Sequence, residues 1–245
     1  MKRASVAFAL SAALLAFSSP RALAPEPQWV AFSFRGDEEG YGPVSIEESI
    51  EVAAQGTALQ DSVLLDEQTT FVLAEGSLTI VHEGQEVWSS DPSWDVRQLL
   101  LADVDNDGKQ EAAFVLWKPF RLEPAIFYDT FGFPSLWEEG SLRNHLFVYA
   151  WRDAAWQHLW CSSPVADPIL DVAAADVDGD GANELVVLEG SYDAPYVPAR
   201  RVSVWRWNGW GFTLQWRSPD GVWDHLLLQD VTDDGVLDIL VKEPS

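Results

Sequence analysis

The sequence predicts an all-β fold, and three kinds of observation support the prediction. The apolar segments are short and rich in Val, Leu and Ile, as in residues 184–188, which favours strands over helices. Turn dipeptides separate several segments, and one of them, Asn208-Gly209, is typical of a two-residue hairpin loop. Acidic loops lie between other pairs of segments. The chain has 245 residues, of which 47% are hydrophobic, so it can bury a sizeable core.

Three of the predicted hairpins end in a Trp that precedes a Pro by three or four residues. From Trp88, Trp160 and Trp216 to the first acid of the next acidic loop there are 15, 16 and 14 residues. Each unit therefore reads as a strand, an acidic loop, a second strand and a two-stranded hairpin. Four short antiparallel strands predict the blade of a β-propeller, with these Trp side chains in the blade core. The hairpin turns are expected at Glu83-Gly84, Arg152-Asp153 and Asn208-Gly209.

We expect about four blades in a single domain that covers residues 25–245. Only three acidic loops occur, whereas closed propellers usually have at least four blades. Residues 62–76 contain two apolar runs without an acidic consensus, which indicates a degenerate N-terminal blade. The chain ends just after the predicted strand at 236–241, so the last blade needs outer strands from elsewhere, and residues 29–34 are candidates. A long aromatic insertion is predicted at 118–144.

The acidic loops have the composition of calcium sites. With Asp103 as position 1, acidic side chains fall at positions 1, 3, 5 and 9, a Gly at position 6 permits a sharp bend, and the position 7 carbonyl can turn inward. Several hard oxygen ligands suit Ca²⁺. The third loop is predicted to bind more weakly because Thr232 replaces an acid. The predicted ligands are Asp103, Asp105, Asp107, Lys109 and Glu111; Asp176, Asp178, Asp180, Ala182 and Glu184; and Asp230, Thr232, Asp234, Val236 and Asp238.

The EF-hand is the obvious alternative for such loops, and the sequence excludes it. An EF-hand needs a Glu at position 12 and a helix on each side. Position 12 is Phe114, Val187 or Val241, and all three lie in strand-like segments.

The loop D-x-D-x-D-G-x-x-[DE] between two apolar strands resembles the FG-GAP, or VCBS, repeat of integrin-like β-propellers. The resemblance covers residues 78–245, with two good copies and a third that lacks one acid. It implies calcium held in a hairpin loop between adjacent strands of a blade. Such repeats occur in adhesion proteins, in carbohydrate-binding proteins and in accessory domains of secreted enzymes.

Residues 1–24 have the features of a signal peptide. Two basic residues begin the chain, an apolar stretch follows, and Ala22-Leu23-Ala24 offers a cleavage site. Cleavage after Ser18 is an alternative because Pro25 directly follows the first site, and retention of the leader as an anchor is another. We therefore expect a secreted or periplasmic protein with no transmembrane segment after leader removal.

Charge and cysteine content limit the possible partners. The formal net charge is −24, and removal of the leader, which contains three basic and no acidic residues, gives −27. Such a charge argues against binding to nucleic acid or to anionic membranes, and leaves an unidentified protein or glycan as the partner. Cys161 is the only cysteine, so no intrachain disulfide forms, and we interpret it as a strand residue rather than a nucleophile.

The sequence favours a binding or scaffold module over an enzyme. Its four His residues form no zinc-binding pattern, and neither a G-x-S-x-G elbow nor a P-loop occurs. The alternative is a carbohydrate-binding, lectin-like protein or a carbohydrate-active one. Trp205, Trp207 and Trp210 crowd one hairpin, and alternate residues of a strand face opposite sides, so at least one of them is expected to be exposed.

Overall fold

The computed structural model describes residues 28–36, 38–46, 62–121, 140–193 and 198–244. The regular secondary structure in these ranges consists of β-strands. The strands form four antiparallel sheets of four strands each, which confirms the all-β prediction. No helix in these ranges is long and apolar enough to cross a membrane. The predicted leader and most of the predicted insertion lie outside the described residues.

The sheets follow the chain in order. The first sheet contains β3 (Ser62–Leu64), β4 (Thr69–Ala74), β5 (Ser77–His82) and β6 (Gln85–Ser89). The second contains β7 (Asp95–Ala102), β8 (Glu111–Pro119), β9 (Leu142–Arg152) and β10 (Ala155–Cys161). The third contains β11 (Ile169–Ala175), β12 (Glu184–Glu189), β13 (Arg201–Trp207) and β14 (Phe212–Arg217). The fourth contains β15 (His225–Gln229), β16 (Asp238–Lys242), β1 (Trp29–Phe34) and β2 (Tyr41–Val44).

The fourth sheet is assembled from both ends of the described chain. Strand β1 pairs antiparallel with β16, and Val30 lies opposite Val241. Strand β2 then pairs with β1 and forms the outer edge. This pairing confirms that residues 29–34 supply an outer strand to the sheet in which the chain ends.

Local details differ from the sequence prediction at three places in the second sheet. The turn between β9 and β10 is Asp153-Ala154, both with positive φ, one residue later than predicted. Strand β8 continues to Pro119 and β9 begins at Leu142, so the connection between them is shorter than the predicted insertion. His145, which directly follows the predicted insertion, is buried within β9, because the strand begins earlier, at Leu142.

Tryptophans join three successive pairs of sheets. Each Trp lies on the outermost strand of its sheet, directly after a register shift, and packs against aromatic rings of the next sheet. Apolar clusters likewise join the first sheet to the second, the second to the third and the third to the fourth. Each of these Trp residues therefore belongs to a strand of one sheet, while its side chain packs in the interface with the next sheet. Their ring-centroid distances are 5.0 Å for Trp88–Tyr149, 5.2 Å for Trp160–Phe212 and 5.2 Å for Trp216–Tyr41.

The fourth and first sheets are not joined in the same way. None of the apolar clusters among the described residues contains members of both sheets. The fourth sheet instead has a separate cluster on its other face, formed around Ala31, Leu227 and Leu240. Its outer strand β2 carries no Trp, and residues 47–61, which connect β2 to β3, lie outside the described part of the chain.

We predict that Trp216→Ala destabilises the protein by about 3 kcal/mol, because the substitution removes the ring between Phe32 and Tyr41 where the third and fourth sheets meet. Trp210→Ala is the matched control: its side chain is 77% exposed, so we expect a change below about 0.5 kcal/mol. Urea unfolding monitored by circular dichroism measures both. Equal losses for the two variants would contradict this account of the contact between sheets.

Candidate metal centres

The three acidic loops occupy the same place in their sheets. Each loop connects the first strand of a sheet to the second: β7 to β8, β11 to β12 and β15 to β16. The acid at position 9 is the first residue of the second strand in every case, so backbone pairing fixes its position. These three acids, Glu111, Glu184 and Asp238, are each only 2% exposed. A buried carboxylate is costly unless a partner offsets its charge.

In the first loop, the carboxylates of Asp103, Asp105 and Glu111 offer oxygens that lie within 4.8 Å of one another. Backbone N–H groups hold this arrangement. Gly108 N–H donates to Asp103 Oδ2 at 2.9 Å, and Val104 N–H donates to Glu111 Oε2 at 3.0 Å. Gly108 has a φ of +88°, which favours the glycine that the sequence places at position 6. The loop therefore gathers three of the predicted ligands at one point.

The second loop repeats the arrangement with Asp176, Asp178 and Glu184, whose oxygens also lie within 4.8 Å of one another. Gly181 N–H donates to Asp176 Oδ2 at 2.8 Å, and Val177 N–H donates to Glu184 Oε2 at 3.3 Å. The other oxygen of Glu184, Oε1, is buried and accepts no hydrogen bond from the described residues. A cation at this centre would give that oxygen a partner.

The acids at position 5 lie outside these trios. Asp107 Oδ1 accepts a hydrogen bond from Lys109 N–H at 2.9 Å, and Asp180 Oδ1 accepts one from Ala182 N–H at 2.9 Å. Each of these carboxylates therefore contacts the backbone at position 7. Coordination by Asp107, Asp180 and the carbonyls of Lys109 and Ala182 stays a prediction.

The third loop satisfies its buried acid internally. Asp238 Oδ2 accepts hydrogen bonds from Val231 N–H at 2.8 Å, Thr232 N–H at 3.1 Å and the Thr232 hydroxyl at 3.1 Å. Asp230 Oδ2 accepts one from Gly235 N–H at 2.9 Å, as in the other loops. Among the described residues, the groups of three acids that could hold a metal are those of the first and second loops. Thr232 thus donates a hydrogen bond where the other loops place a carboxylate, and a weaker third site stays a prediction.

The first sheet has no acidic centre at the equivalent turn. Thr69 begins β4 where the other sheets place an acid, and it is 2% exposed. Its hydroxyl lies 3.0 Å from His82 Nδ1, so a neutral contact replaces the acid. Asp66 Oδ1 accepts hydrogen bonds from the N–H groups of Gln68 and Thr69. The sequence predicted no acidic consensus in this region, and the turn between β3 and β4 is also shorter than the acidic loops.

Burial makes the ionised form of the two position 9 glutamates unfavourable. Burial, with an added effect of the carboxylates of Asp105 and Asp107, raises the pKa of Glu111 to about 7. Burial likewise raises the pKa of Glu184 to about 7, with Asp178 and Asp180 adding to the effect. A divalent cation between the carboxylates would favour their ionised forms. The first centre therefore combines a buried glutamate with the like charges of Asp105 and Asp107, whereas at the second centre the Arg206 guanidinium partly offsets the charge of the carboxylates.

Contacts between neighbouring loops place them side by side. Asn183 N–H donates to Asn106 Oδ1 at 2.7 Å, and the Asn183 side-chain amide donates to the Asp103 carbonyl at 2.8 Å. Gly179 of the second loop faces the third, since a Cβ there would lie 3.0 Å from Val236 Cγ2. The sequence prediction did not include these contacts. The sequence feature that could have indicated them is the Asn at position 4 of the first loop together with the Asn at position 8 of the second loop.

A cleft of about 340 Å³ lies beside the first loop, between the first and second sheets. Its lining combines Trp151 and His82, whose rings are 5.0 Å apart, with Arg152 and with residues of the first loop that include Asp107 and Lys109. Trp151 is 38% exposed. The cleft therefore offers an aromatic face next to groups that donate and accept hydrogen bonds.

The remaining sequence candidates have different surroundings. Trp210 is exposed, as predicted for at least one Trp of its hairpin, whereas Trp205 and Trp207 are partly buried. Cys161 is a free cysteine at the end of β10, and burial of the thiol raises its pKa to about 11. A thiol that resists ionisation is a poor nucleophile.

We predict that, in EDTA, Glu111→Gln/Glu184→Gln gains stability relative to the wild type as pH rises from 5 to 8. Acids whose folded pKa is about 7 instead of 4.5 stabilise the fold fully below pH 4.5, and this contribution is lost by about pH 7. His145, whose pKa burial lowers to about 4, acts in the opposite direction but is common to both proteins.

Melting temperatures of the two proteins at pH 5 and pH 8 measure the difference. Glu86→Gln, a change at an exposed acid, serves as the control and is expected to track the wild type. A difference between the double variant and the wild type that does not change with pH would contradict the assignment.

The sequence matches no protein-family model and no curated protein. The function must therefore be argued from the centres themselves.

Proposed function

We propose that the protein is a secreted, calcium-stabilised β-propeller that acts as a binding or scaffold module. One observation carries the proposal: two hairpin loops each gather three carboxylates, one of which belongs to a buried glutamate. Oε1 of Glu184 accepts no hydrogen bond from the described residues and lies 3.6 Å from the Arg206 guanidinium, which supports a cation site in the second loop.

The donor set favours calcium over other metals. Both trios consist of carboxylate oxygens and contain no His or Cys, the ligands that zinc sites commonly use. Magnesium usually keeps several waters and takes only one or two carboxylates, whereas calcium accepts six to eight oxygens in flexible geometry. Bound calcium would link the loop to the first residue of the next strand. Its expected role is thus to hold the hairpin together.

Four blades are the arrangement that the sheet contacts support best. Three successive pairs of sheets pack through a Trp and an apolar cluster, and the fourth sheet contains strands from both ends of the described chain. Pairing of β1 with β16 is the kind of link that would hold a ring of blades closed. We infer that the apolar face of the fourth sheet around Ala31 and Leu240 is turned towards the first sheet.

A rigid scaffold of this kind suits a binding role outside the cell. Extracellular calcium modules often have dissociation constants of about 10⁻⁴ to 10⁻³ M, which matches a secreted or periplasmic location. The net charge of −24 disfavours nucleic acid as a ligand and leaves a protein or a glycan.

We predict that Asp105→Ala lowers the melting temperature by roughly 5 to 10 °C in excess calcium and changes it little in EDTA. The reason is that Asp105 stabilises the fold through the ion, while without the ion it adds repulsion to the trio. Differential scanning fluorimetry in 2 mM EDTA, in Ca²⁺ and in Mg²⁺ measures the effect, in the conditions of about millimolar ion that such sites require.

Glu86→Ala is the matched control because it removes one exposed acid that belongs to none of the acidic loops. It should melt like the wild type in all three conditions. Equal shifts for Asp105→Ala with and without calcium would remove the basis of the proposal.

Carbohydrate binding is the second candidate function, and the cleft beside the first loop favours it. Trp151 presents an aromatic face on which a sugar ring could stack, and Arg152 and Asp107 lie within reach of its hydroxyl groups. Because Asp107 belongs to both the cleft and the first loop, calcium would order part of the sugar site.

We predict that a glycan array probed in calcium gives ligands whose binding is lost in EDTA and in Trp151→Ala. Trp151→Ala removes the ring on which a sugar would stack, and EDTA removes the ion that would order the loop. Trp210→Ala, which removes a more exposed Trp, is expected to keep binding. Binding that survives Trp151→Ala would exclude this cleft, and absence of any glycan ligand would leave the scaffold function.

A further inference from the structure

Arg206 lies at the carboxylate centre of the second loop. It stands on β13 directly opposite Glu184 of β12. Its guanidinium pairs with Asp180 through Nη2, and lies 3.6 Å from Asp178 Oδ2 through Nη1 and 3.6 Å from Glu184 Oε1 through Nε. One cation thus contacts three of the acids that the second loop would offer to calcium. The 3.6 Å separation is too long for a hydrogen bond, so Glu184 Oε1 still lacks a donor.

The first loop has no cation in the equivalent position. Tyr149 lies opposite Ala112, so the residue opposite Glu111 is the buried Ala150. The nearest arginine, Arg152, contacts only Asp105, at 3.4 Å, and its side chain is 47% exposed against 32% for Arg206.

The third loop also lacks such a cation. Phe32 lies opposite Ile239, which places Ser33 opposite Asp238. The hydroxyl of Thr232 already donates to that acid. A guanidinium that contacts several acids therefore distinguishes the second loop from the other two in the described part of the chain.

We propose that Arg206 is the resident counter-ion of the second loop and lowers the calcium affinity of that loop below that of the first. This inference rests on the proposed calcium-binding function. Calcium entering the second loop must share or replace the contacts of Arg206 with Asp178, Asp180 and Glu184. Because the guanidinium is partly exposed, it can turn towards solvent when the ion binds. Binding at the second loop is then an exchange of cations, while binding at the first loop fills an open centre.

The two loops consequently differ in what happens without calcium. In the first loop, the ion pair that the trio makes with the described residues is the long contact between Asp105 and Arg152. In the second loop, Arg206 reduces the repulsion because it contacts three of the carboxylates directly. The first loop is therefore the one whose stability depends strongly on calcium, and the second tolerates its absence.

Isothermal titration calorimetry with CaCl₂ tests the proposal when one loop is measured at a time. Asp105→Ala disables the first loop, so Asp105→Ala and Asp105→Ala/Arg206→Gln compare the second loop with and without its counter-ion. We expect the added Arg206→Gln to tighten calcium binding roughly tenfold, as loss of several partly exposed ion-pair contacts implies. The matched pair is Asp178→Ala and Asp178→Ala/Arg152→Gln, for which we expect a change below about threefold at the first loop because its arginine makes one long contact.

Melting temperatures supply a second measurement in the otherwise unchanged chain. Arg206→Gln should melt lower than the wild type in EDTA and show a larger rise on addition of calcium. Calcium binding to the second loop that is equally tight with and without Arg206 would overturn the role of Arg206 while leaving the proposed function intact. Absence of calcium binding in both single-loop proteins would overturn both.

Discussion

Burial of one carboxylate at the start of a strand is the constraint on which the acidic loops depend. The acid at position 9 is fixed by backbone pairing and shielded from water, so it cannot turn to solvent to keep its charge hydrated. The other acids of each loop add like charge around it. A loop of this kind needs a positive partner or a strong hydrogen-bond donor at one defined point.

The three loops meet this need by different chemistry on nearly the same backbone. The first gathers three carboxylates with little positive charge nearby, the second brings in Arg206, and the third uses the hydroxyl of Thr232. An acid at position 9 is present in all three loops. On the proposed function, these similar turns would differ in metal affinity, because the deciding residue lies on a neighbouring strand or at position 3.

The sequence allowed prediction of the features that recur within it. Strands, acidic loops and the pairing of residues 29–34 with the last strand follow from periodicity and from the spacing of Trp and acids. Arg206 was not predicted because its role comes from strand register: only the pairing of β12 with β13 brings it beside Glu184, 22 residues earlier in the chain. The turn at Asp153-Ala154 differed by one residue, since Ala154 is not a typical choice for positive φ at a hairpin. The partners of the Trp rings depend on how sheets pack, which periodicity within one sheet does not encode.

The pairing of β1 with β16 also has a kinetic consequence. Val30 and Val241 are neighbours in space although more than 200 residues separate them in the chain. The fourth sheet therefore cannot form until β16 has been synthesised, and its formation closes a very long loop. The first three sheets pair locally and can fold earlier, while β1 keeps an unpaired edge in the meantime. An unpaired strand edge is a template for association with other chains, so the interval before β16 arrives is when this protein is most exposed to misassembly.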